Sequence, residues 1–311
     1  MEVVPADDIR RIFTMKETME TIEEFYRKKK GEYISPDRMH IEDGENTALL
    51  MPAFYGDYYA VKLVGVAPGN TEVKKATIHG TMILHDRQTM QPLFLCDAMA
   101  VTALRTGALG GLGMKYLAGK EARSLGIIGT GTQGWSHLQS AVVARDIKEV
   151  HIFNRTKDKA RSFIEKAKEA FPDIRFHMTE VDELVRESDI IITTTTSVTP
   201  VLPELPSEVW KGKQIVAVGS FRPAMQEIPD QVLKEADYIY VDAESALRES
   251  GDMLRAKELR TDLDGSWNLE KIITERHEPE DVENKLTIFK SVGASIFDLV
   301  TVEAIYNKYD K

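Results

Sequence analysis

The sequence predicts an α/β protein with a doubly wound parallel sheet, joined to a second unit of α+β type. Two observations predict the parallel sheet. Between residues 123 and 241, short apolar segments alternate with helical ones, which is typical of strands covered by helices on both faces. The pattern Gly129-x-Gly131-x-x-Gly134 directly follows the first of these apolar segments. A third observation predicts the α+β unit, because the first 118 residues contain strand-like segments without alternating helices.

The elements before residue 119 are those of a unit with its own sheet. Residues 9–28 repeat apolar side chains at helical spacing, and residues 98–116 are rich in Ala, Leu and Gly, which predicts a closely packed helix. Between them lie apolar segments rich in Tyr, Val and Leu, which predict strands. These predicted strands are residues 38–51, 58–67, 76–85 and 92–97.

The elements after residue 118 alternate. The predicted strands are residues 125–128, 149–153, 175–177, 190–195, 214–218 and 238–241. The predicted helices are residues 135–144, 157–170, 180–187 and 230–235. Residues 287–309 have helical spacing and are expected to pack onto the first unit. We therefore expect a substrate-binding and dimerisation domain of residues 1–118 with 285–311, and a nucleotide-binding domain of residues 119–284.

The glycine pattern predicts a dinucleotide site, because a strand precedes it and a helix follows it. This βαβ arrangement, the Rossmann unit, holds a pyrophosphate at a helix N-terminus. Gly129 permits the tight turn, Gly131 the close approach of phosphate, and Gly134 the close packing of helix on strand. Thr132 and Gln133 belong to the same loop and are candidate cofactor contacts. The alternative is a glycine-rich turn without a ligand.

The segment after the second strand predicts which dinucleotide is bound. An NAD site usually carries Asp or Glu there, whereas this chain has Asn154, Arg155 and Thr156. Because Arg155 can pair with a 2′-phosphate, NADP(H) is the preferred cofactor and NAD(H) the second choice. A solvated basic loop is the alternative. Thr195 ends a buried apolar run and is expected near the same cofactor.

Composition excludes several classes of protein. With 311 residues and 42 % apolar content, the chain can form two domains with a sizeable core. It has no run of about 18 apolar residues and no secretion signal, so a cytoplasmic protein without membrane contact is expected. The net charge of −10 disfavours nucleic acid as a partner. The single Cys96 and the spacing of the histidines predict no disulfide and no metal site.

Several segments together resemble the ornithine cyclodeaminase/mu-crystallin family, and they extend over nearly the whole chain. Besides the glycine pattern they are Leu-Met-Pro-Ala at 50–53, Val-Lys-Leu-Val at 61–64, Thr-Ala-Leu-Arg-Thr-Gly-Ala at 102–108, Ile-Phe-Asn-Arg-Thr-Lys at 152–157, Tyr-Val-Asp at 240–242, Glu-Ser-Gly-Asp at 249–252 and Phe-Lys-Ser-Val-Gly at 289–293. The resemblance implies a homodimer formed through the domain outside the Rossmann fold. It also implies one of several activities: cyclising deamination of ornithine or lysine, alanine oxidation, or reduction of cyclic ketimines. The Asn-Arg-Thr-Lys run resembles the branch of mu-crystallin, which uses NADPH.

The resemblance implies that Arg38, Lys62 and Arg105 hold the carboxylate of a small amino or imino acid. Lys62 and Arg105 are also charges in otherwise apolar segments, where a cation without a partner is unfavourable. A lysine that extends to solvent and a structural ion pair of arginine are the respective alternatives, and Arg38 can instead pair with its neighbour Asp37. Thr81 is a further candidate for the pocket, with an ordinary strand position as its alternative.

Three further candidates, Val292, Gly293 and Phe221, come from later in the chain. Val292 and Gly293 would leave room for the nicotinamide ring, unless the glycine only begins a helix. Phe221 occupies the position at which cyclodeaminases, by the resemblance, carry a proton-relaying Asp. A phenyl ring cannot relay a proton, and Ser220, Glu227 or a water are the alternatives for that role.

This departure favours reduction of a cyclic α-imino acid, such as Δ1-pyrroline-2-carboxylate, because a protonated imine can accept hydride without an adjacent acid. Lys62 and Arg105 are the candidate catalytic residues. Ornithine cyclodeaminase and alanine dehydrogenase are the alternative activities, and a non-catalytic NADP-linked binding protein is the alternative class.

Overall fold

The computed structural model describes residues 3–29, 31–263, 267–275 and 279–309. The strands are β1 (Met39–Asp43), β2 (Asn46–Tyr55), β3 (Tyr58–Val66), β4 (Ile78–Asp86), β5 (Pro92–Asp97), β6 (Ser124–Ile128), β7 (Glu149–Phe153), β8 (Arg175–Met178), β9 (Ile190–Thr193), β10 (Gln214–Ala217), β11 (Tyr238–Val241) and β12 (Thr287–Lys290). The helices are α1 (Ala6–Ile12), α2 (Met15–Lys28), α3 (Ala98–Leu117), α4 (Thr132–Ala144), α5 (Lys157–Ala170), α6 (Val181–Glu187), α7 (Ser207–Trp210), α8 (Asp230–Glu235), α9 (Ala246–Glu249), α10 (Gly251–Leu259), α11 (Leu269–Glu275) and α12 (Ser295–Tyr309).

The chain forms two compact units. The first unit is Met1–Arg105 with Ala294–Lys311, and the second is Thr106–Gly293. These boundaries differ from the predicted 118/119 and 284/285. The later half of α3 belongs to the second unit, where a Cβ on Gly113 would lie only 2.5 Å from the ring of Phe289. The second boundary moves because β12 is a strand of the parallel sheet and not the start of the last helix.

The first unit contains an antiparallel sheet in the order β1-β2-β3-β4-β5. In this sheet Lys62 pairs with Met51 on one side and Met82 on the other, and all three are buried. Helix α12 packs against β2 and β3 and also contacts α2. Side chains alternate between the two faces of a strand. Leu63, the residue after Lys62, therefore lies on the opposite face of the sheet. We call the face that carries Lys62 the inner face.

The amphipathic start is two helices, not the single helix predicted for residues 9–28. The chain leaves the helical conformation at Phe13, and Thr14 begins α2 as its N-cap. The hydroxyl of Thr14 accepts the N–H of Glu17 at 3.2 Å, while the carboxylate of Glu17 accepts the N–H of Thr14 at 2.9 Å. This reciprocal capping satisfies N–H groups at the start of a second helix. The apolar residues therefore repeat at helical spacing on both sides of a break in the helix.

The second unit contains a parallel sheet in the order β11-β12-β10-β9-β6-β7-β8. From β6 the chain moves outward to β8 and then returns to β9 on the other side of β6, as expected for a doubly wound sheet. The sequence did not predict β12, since its four residues are all buried and a short apolar run suits a strand or a helix equally. The crevice at the carboxyl ends of β6 and β9 is where such sheets bind ligands.

No helix among the described residues has the length and apolar character needed to cross a bilayer.

Candidate active site

Lys62 and Arg105 lie in the first unit and share one carboxylate. Nζ of Lys62 donates to Oδ2 of Asp298 at 2.7 Å, and Nε of Arg105 donates to Oδ1 of the same residue at 2.9 Å. The three side chains are 3 %, 5 % and 2 % exposed, respectively. Strand β3, helix α3 and helix α12 each supply one member, so three separate segments of the chain meet here. We call Lys62, Arg105 and Asp298 the cation cluster.

The cation cluster keeps a net positive charge. Burial lowers the pKa of Lys62 to about 8, with Asp298 opposing this shift and Arg105 adding to it. Burial also acts to raise the pKa of Asp298, but Arg105 and Lys62 hold it below its ordinary value. Nη1 of Arg105 is buried and has no hydrogen-bond partner among the described residues. Two cations around one anion, with an N–H group unused, suit the binding of a further carboxylate.

Arg38 and Thr81 differ in their relation to this cluster. Arg38 precedes β1, and its charge is near enough to contribute to the lowered pKa of Lys62. Thr81 pairs with Leu63 in the sheet, whereas Lys62 pairs with Met82. Because neighbouring residues of a strand face opposite ways, Thr81 lies on the face away from the cation cluster. Within this unit the structure therefore separates Thr81 from Lys62, contrary to the prediction.

The glycine-rich loop joins β6 to α4 in the second unit. Gly129 has a φ of +104°, a left-handed conformation, and its N–H donates to the carbonyl of Phe153 at 3.0 Å. A Cβ on Gly134 would lie 2.2 Å from the carbonyl oxygen of Gly129. A Cβ on Gly131 would meet no described atom within 4 Å, so open space borders this point of the loop. A tight turn, a close helix and an open approach are the features that a pyrophosphate site needs.

The start of α4 is suited to an anion. Gly131 is its N-cap, and within the described residues no side chain accepts from the first turn of the helix. Thr132 and Gln133 are its first two residues. The side-chain oxygen of Gln133 is buried without a hydrogen-bond partner in the described part of the chain. The residues present therefore fit a dinucleotide, whose phosphates would accept from the backbone N–H groups here.

Asn154, Arg155 and Thr156 follow β7 beside this loop. Oδ1 of Asn154 accepts the N–H of Thr130 at 3.3 Å, and its Nδ2 donates to the carbonyl of Thr156 at 2.9 Å. Asn154 thereby ties the glycine-rich loop to the segment after β7. Arg155 is exposed, and none of the described residues pairs with its guanidinium. Its charge is thus available to an anionic group of a ligand.

Thr195 is held at the end of β9 by a buried carboxylate. Glu227 accepts from the N–H of Thr195 at 2.6 Å, from its hydroxyl at 2.8 Å and from the N–H of Gly219 at 2.7 Å. The hydroxyl of Thr193 donates to the same carboxylate at 2.9 Å. Burial raises the pKa of Glu227, with Lys290 opposing the shift. Both oxygens of Glu227 are therefore occupied in positioning the loops after β9 and β10.

The loop after β10 carries Phe221, which packs against the apolar core of the second unit. The two side chains named as alternative proton relays are not accessible to solvent. Glu227 and Ser220 are both 0 % exposed. The hydroxyl of Ser220 donates to the carbonyl of Met225 at 2.7 Å. These two side chains act as supports of the loop.

Val292 and Gly293 are fixed by Asp242, which follows β11. The N–H of Val292 donates to Oδ2 of Asp242 at 3.1 Å, and that of Gly293 donates to it at 2.6 Å. Gly293 has a φ of +75° and precedes α12 by two positions. This glycine is therefore required for a left-handed turn next to the end of β12.

Two residues of these sites, Asp298 and Asp242, were missed from the sequence. Asp298 is a charged residue within an apolar helix. Lys62 and Arg105 also lie in apolar segments, so the same signal could have identified Asp298. Asp242 follows an apolar strand, at the end where ligands and their supports lie. Glu227 was named from the sequence only as an alternative proton relay, and its role in holding Thr195 and Gly219 was not predicted.

The chain was compared with known proteins. The model of the ornithine cyclodeaminase/mu-crystallin family matches residues 2–311. The chain belongs to this family. It is 35 % identical to a Δ1-pyrroline-2-carboxylate reductase of Bacillus cereus, over 99 % of this chain and 96 % of that protein. The family and the Rossmann-type fold predicted from the sequence are thereby confirmed.

Two solved structures are similar over almost their full length. Thermococcus litoralis Δ1-pyrroline-2-carboxylate reductase, in complex with NADH and L-proline, has a TM-score of 0.89 at 28 % identity and covers 99 % of this chain and 97 % of its own. An archaeal alanine dehydrogenase dimer with bound NAD has a TM-score of 0.90 at 29 % identity, with coverages of 98 % and 95 %.

Proposed function

We propose that this protein is an NAD(P)H-dependent oxidoreductase that reduces a small cyclic α-imino acid, such as Δ1-pyrroline-2-carboxylate, to the amino acid. The similarity to reductases of this substrate over the whole chain supports the activity. In the overall reaction the imine carbon gains a hydride and the imine nitrogen gains a proton, giving L-proline and NAD(P)+. A bound NAD(P)H supplies the hydride.

The cation cluster supplies the binding of the substrate carboxylate. Lys62 and Arg105 retain a net charge of +1 after pairing with Asp298, and Arg38 adds a further cation to their field. A carboxylate held by two fixed cations has one orientation, which determines the face that its neighbouring imine carbon presents to the hydride. Burial of the cluster strengthens these contacts because water does not screen them.

The loop after β10 decides between imine reduction and ornithine cyclisation. Phe221 stands where a cyclodeaminase is expected to carry its proton-relaying carboxylate, and Glu227 in the same loop is fully buried with both oxygens occupied. Reduction of a protonated imine needs no acid at that position. Ornithine cyclisation needs one, so the loop favours the reductase over ornithine cyclodeaminase.

We also propose that NADP(H) is preferred over NAD(H). The support is Arg155, an exposed guanidinium next to the glycine-rich loop, together with Asn154 in place of a carboxylate. A guanidinium pairs bidentately with a 2′-phosphate, whereas a carboxylate at this position would repel it. A cytoplasmic location remains part of the same proposal.

A homodimer is proposed on the outer face of the first unit's sheet, the face opposite Lys62. Met39, Leu50 and Leu63 form one row across it, and Ile41 follows in the next row. Met39, Ile41 and Leu63 are 48 %, 56 % and 40 % exposed. A second copy of the chain can cover this apolar surface, and one structural relative is a dimer. Sedimentation of the wild type and of Leu63→Glu tests this, with a monomer expected only for the variant.

The activity is tested by mixing the protein with NADPH and a panel of cyclic imino acids of different ring size. A fall in NADPH absorbance with formation of the cyclic amino acid supports the proposal. If the protein binds NADPH but turns over none of the imino acids, ornithine or alanine, the alternative of a non-catalytic binding protein is correct.

A further inference from the structure

Asp298 occupies a special position in the cation cluster. Each of its oxygens accepts from a different cation, Oδ2 from Lys62 and Oδ1 from Arg105. Its side chain is 2 % exposed, so water does not share in these bonds. No role for Asp298 was predicted from the sequence, and the proposed chemistry uses the two cations alone.

The two buried cations of the cluster require an anion between them. Lys62 on β3 and Arg105 on α3 are like charges, buried and within reach of one carboxylate. Without it they would repel each other, and each long side chain would have several rotamers available. Because Asp298 binds Arg105 through Nε, the outer end of the guanidinium is left for another ligand, and its Nη1 lacks a partner among the described residues.

We propose that Asp298 is a positioning residue for the reduction: it holds Lys62 and Arg105 in the single arrangement that receives the substrate carboxylate. This inference rests on the proposed function, because it assigns a role within the same carboxylate site. Asp298 itself does not contact substrate, since both its oxygens face the cations. Its effect on the reaction passes through them.

The role predicts a change in pH dependence that a purely structural residue would not cause. The charged groups that act on Lys62 are Asp298 on α12, Arg105 on α3 and Arg38 before β1. Of these three described groups, Asp298 is the one that stabilises the protonated ammonium. Removing its charge leaves Lys62 buried beside two cations, so the ammonium loses its proton at lower pH.

The experiment compares the wild type with Asp298→Asn, which keeps the shape and removes the charge. The pH profile of kcat/KM for Δ1-pyrroline-2-carboxylate is measured with saturating NADPH. We expect the alkaline limb of Asp298→Asn to move down by about one pH unit or more, with kcat/KM at neutral pH reduced by about 100-fold. The dissociation constant of NADPH, measured by fluorescence, should stay within about twofold of the wild type, because the nucleotide binds residues of the second unit.

Thr301→Val is the matched control on the same helix. Thr301 is also fully buried, and its hydroxyl has no partner among the described residues. This variant changes the core of α12 without altering a charge, so its pH profile should equal that of the wild type. A shift in Thr301→Val as large as that in Asp298→Asn would overturn the inference.

The experiment also distinguishes failure of the positioning role from failure of the proposed function. If the wild type reduces the imino acid and Asp298→Asn keeps both its profile and its kcat/KM, the positioning role is wrong while the proposed function stands. If the wild type reduces none, the proposed function fails, and the inference fails with it. Should Asp298→Asn not fold, Asp298→Glu keeps the charge but moves the carboxylate by one methylene. A loss of kcat/KM of about tenfold with unchanged NADPH binding then supports the role, and activity within twofold of the wild type overturns it.

Discussion

The N–H of Gly293 donates to Oδ2 of Asp242 at 2.6 Å, so the residue after β11 fixes the turn after β12. The same carboxylate oxygen accepts the hydroxyl of Ser291 at 2.8 Å and the N–H of Val292 at 3.1 Å. These strands are parallel neighbours, and their carboxyl ends meet at one edge of the sheet. A single buried acid therefore determines the backbone of the segment that we expect beside the nicotinamide.

Replacing Asp242 by Ala should destabilise the second unit. Three buried donors would lose their acceptor, and a free energy of unfolding lower by about 2–4 kcal/mol is expected. Urea denaturation measures this loss, and NADPH titration should show weaker binding as the turn at Gly293 loosens. Asp242→Asn is the control, since its amide oxygen can still accept. If Asp242→Ala unfolds at the wild-type urea concentration, Asp242 does not support this turn.

Local signals in the sequence were sufficient to predict much of this fold. The apolar run before Gly129 and the helix after Gly134 predicted the nucleotide-binding turn because strand, glycines and helix are consecutive in the chain. Lys62 and Arg105 were implied by the resemblance to the family, and their position as charges within apolar segments agreed with it. The boundaries of β7, β11 and α5 were predicted correctly from the same periodic patterns.

The errors concern features that depend on distant parts of the chain. Residues 287–290 pair with β10 and β11, which are about 50 to 75 positions away, so their periodicity did not distinguish a strand from a helix. Thr81 was predicted to line the pocket, but the register with Leu63 decides its face. Glu227 accepts N–H groups from the loop after β9 and from the start of its own loop after β10, and nothing in its own segment indicates this.

Arg155→Ala should weaken NADPH binding while leaving NADH nearly unaffected. We expect the wild type to prefer NADPH by at least about tenfold in kcat/KM, because a well-formed pair of guanidinium and phosphate contributes a few kcal/mol. Steady-state kinetics with both cofactors measure the ratio. Lys159→Ala is the matched control, because Lys159 is also exposed but lies within α5. Equal use of NADPH and NADH by the wild type would contradict the assignment.

Lys62→Met and Arg105→Met should each lower kcat/KM for the imino acid by about 100-fold or more. Each variant removes a charge that orients the carboxylate, while methionine retains much of the buried volume. Binding of NADPH should remain near the wild-type value, since its predicted contacts lie in the second unit. Activity within a factor of two in both variants would mean that the two cations serve only as structural partners of Asp298.

The pH dependence of the wild type should follow Lys62. Burial lowers its pKa to about 8, so the ammonium is charged below that pH and neutral above it. Because the charged form binds the substrate carboxylate, kcat/KM should be constant below this value and fall about tenfold per pH unit above it. Lys62→Met should lack this limb. A wild-type profile that stays flat from pH 7 to about 10 would show that the charge of Lys62 is not needed.

The direction of the chemistry should be reduction of the imine and not deamination of ornithine. Phe221 packs against the core of the second unit, and the buried Glu227 uses its oxygens to hold Thr195 and Gly219. Neither Phe221 nor Glu227 is therefore free to take the proton of a reacting amine. With NADPH, Δ1-pyrroline-2-carboxylate should give proline, whereas ornithine with NAD(P)+ should release ammonia only slowly. Phe221→Asp should introduce a trace of ammonia release.

Phe221→Leu is the matched control for that gain, because leucine keeps the loop apolar and cannot relay a proton. Ammonia release that rises equally in Phe221→Leu would reflect a loosened loop and not proton transfer. The decisive measurement is on the wild type itself. If it converts ornithine to proline and ammonia at about 1 s⁻¹ or faster, an ordinary enzymatic turnover, another group relays the proton. The argument from Phe221 would then be wrong, and the protein would be a cyclodeaminase.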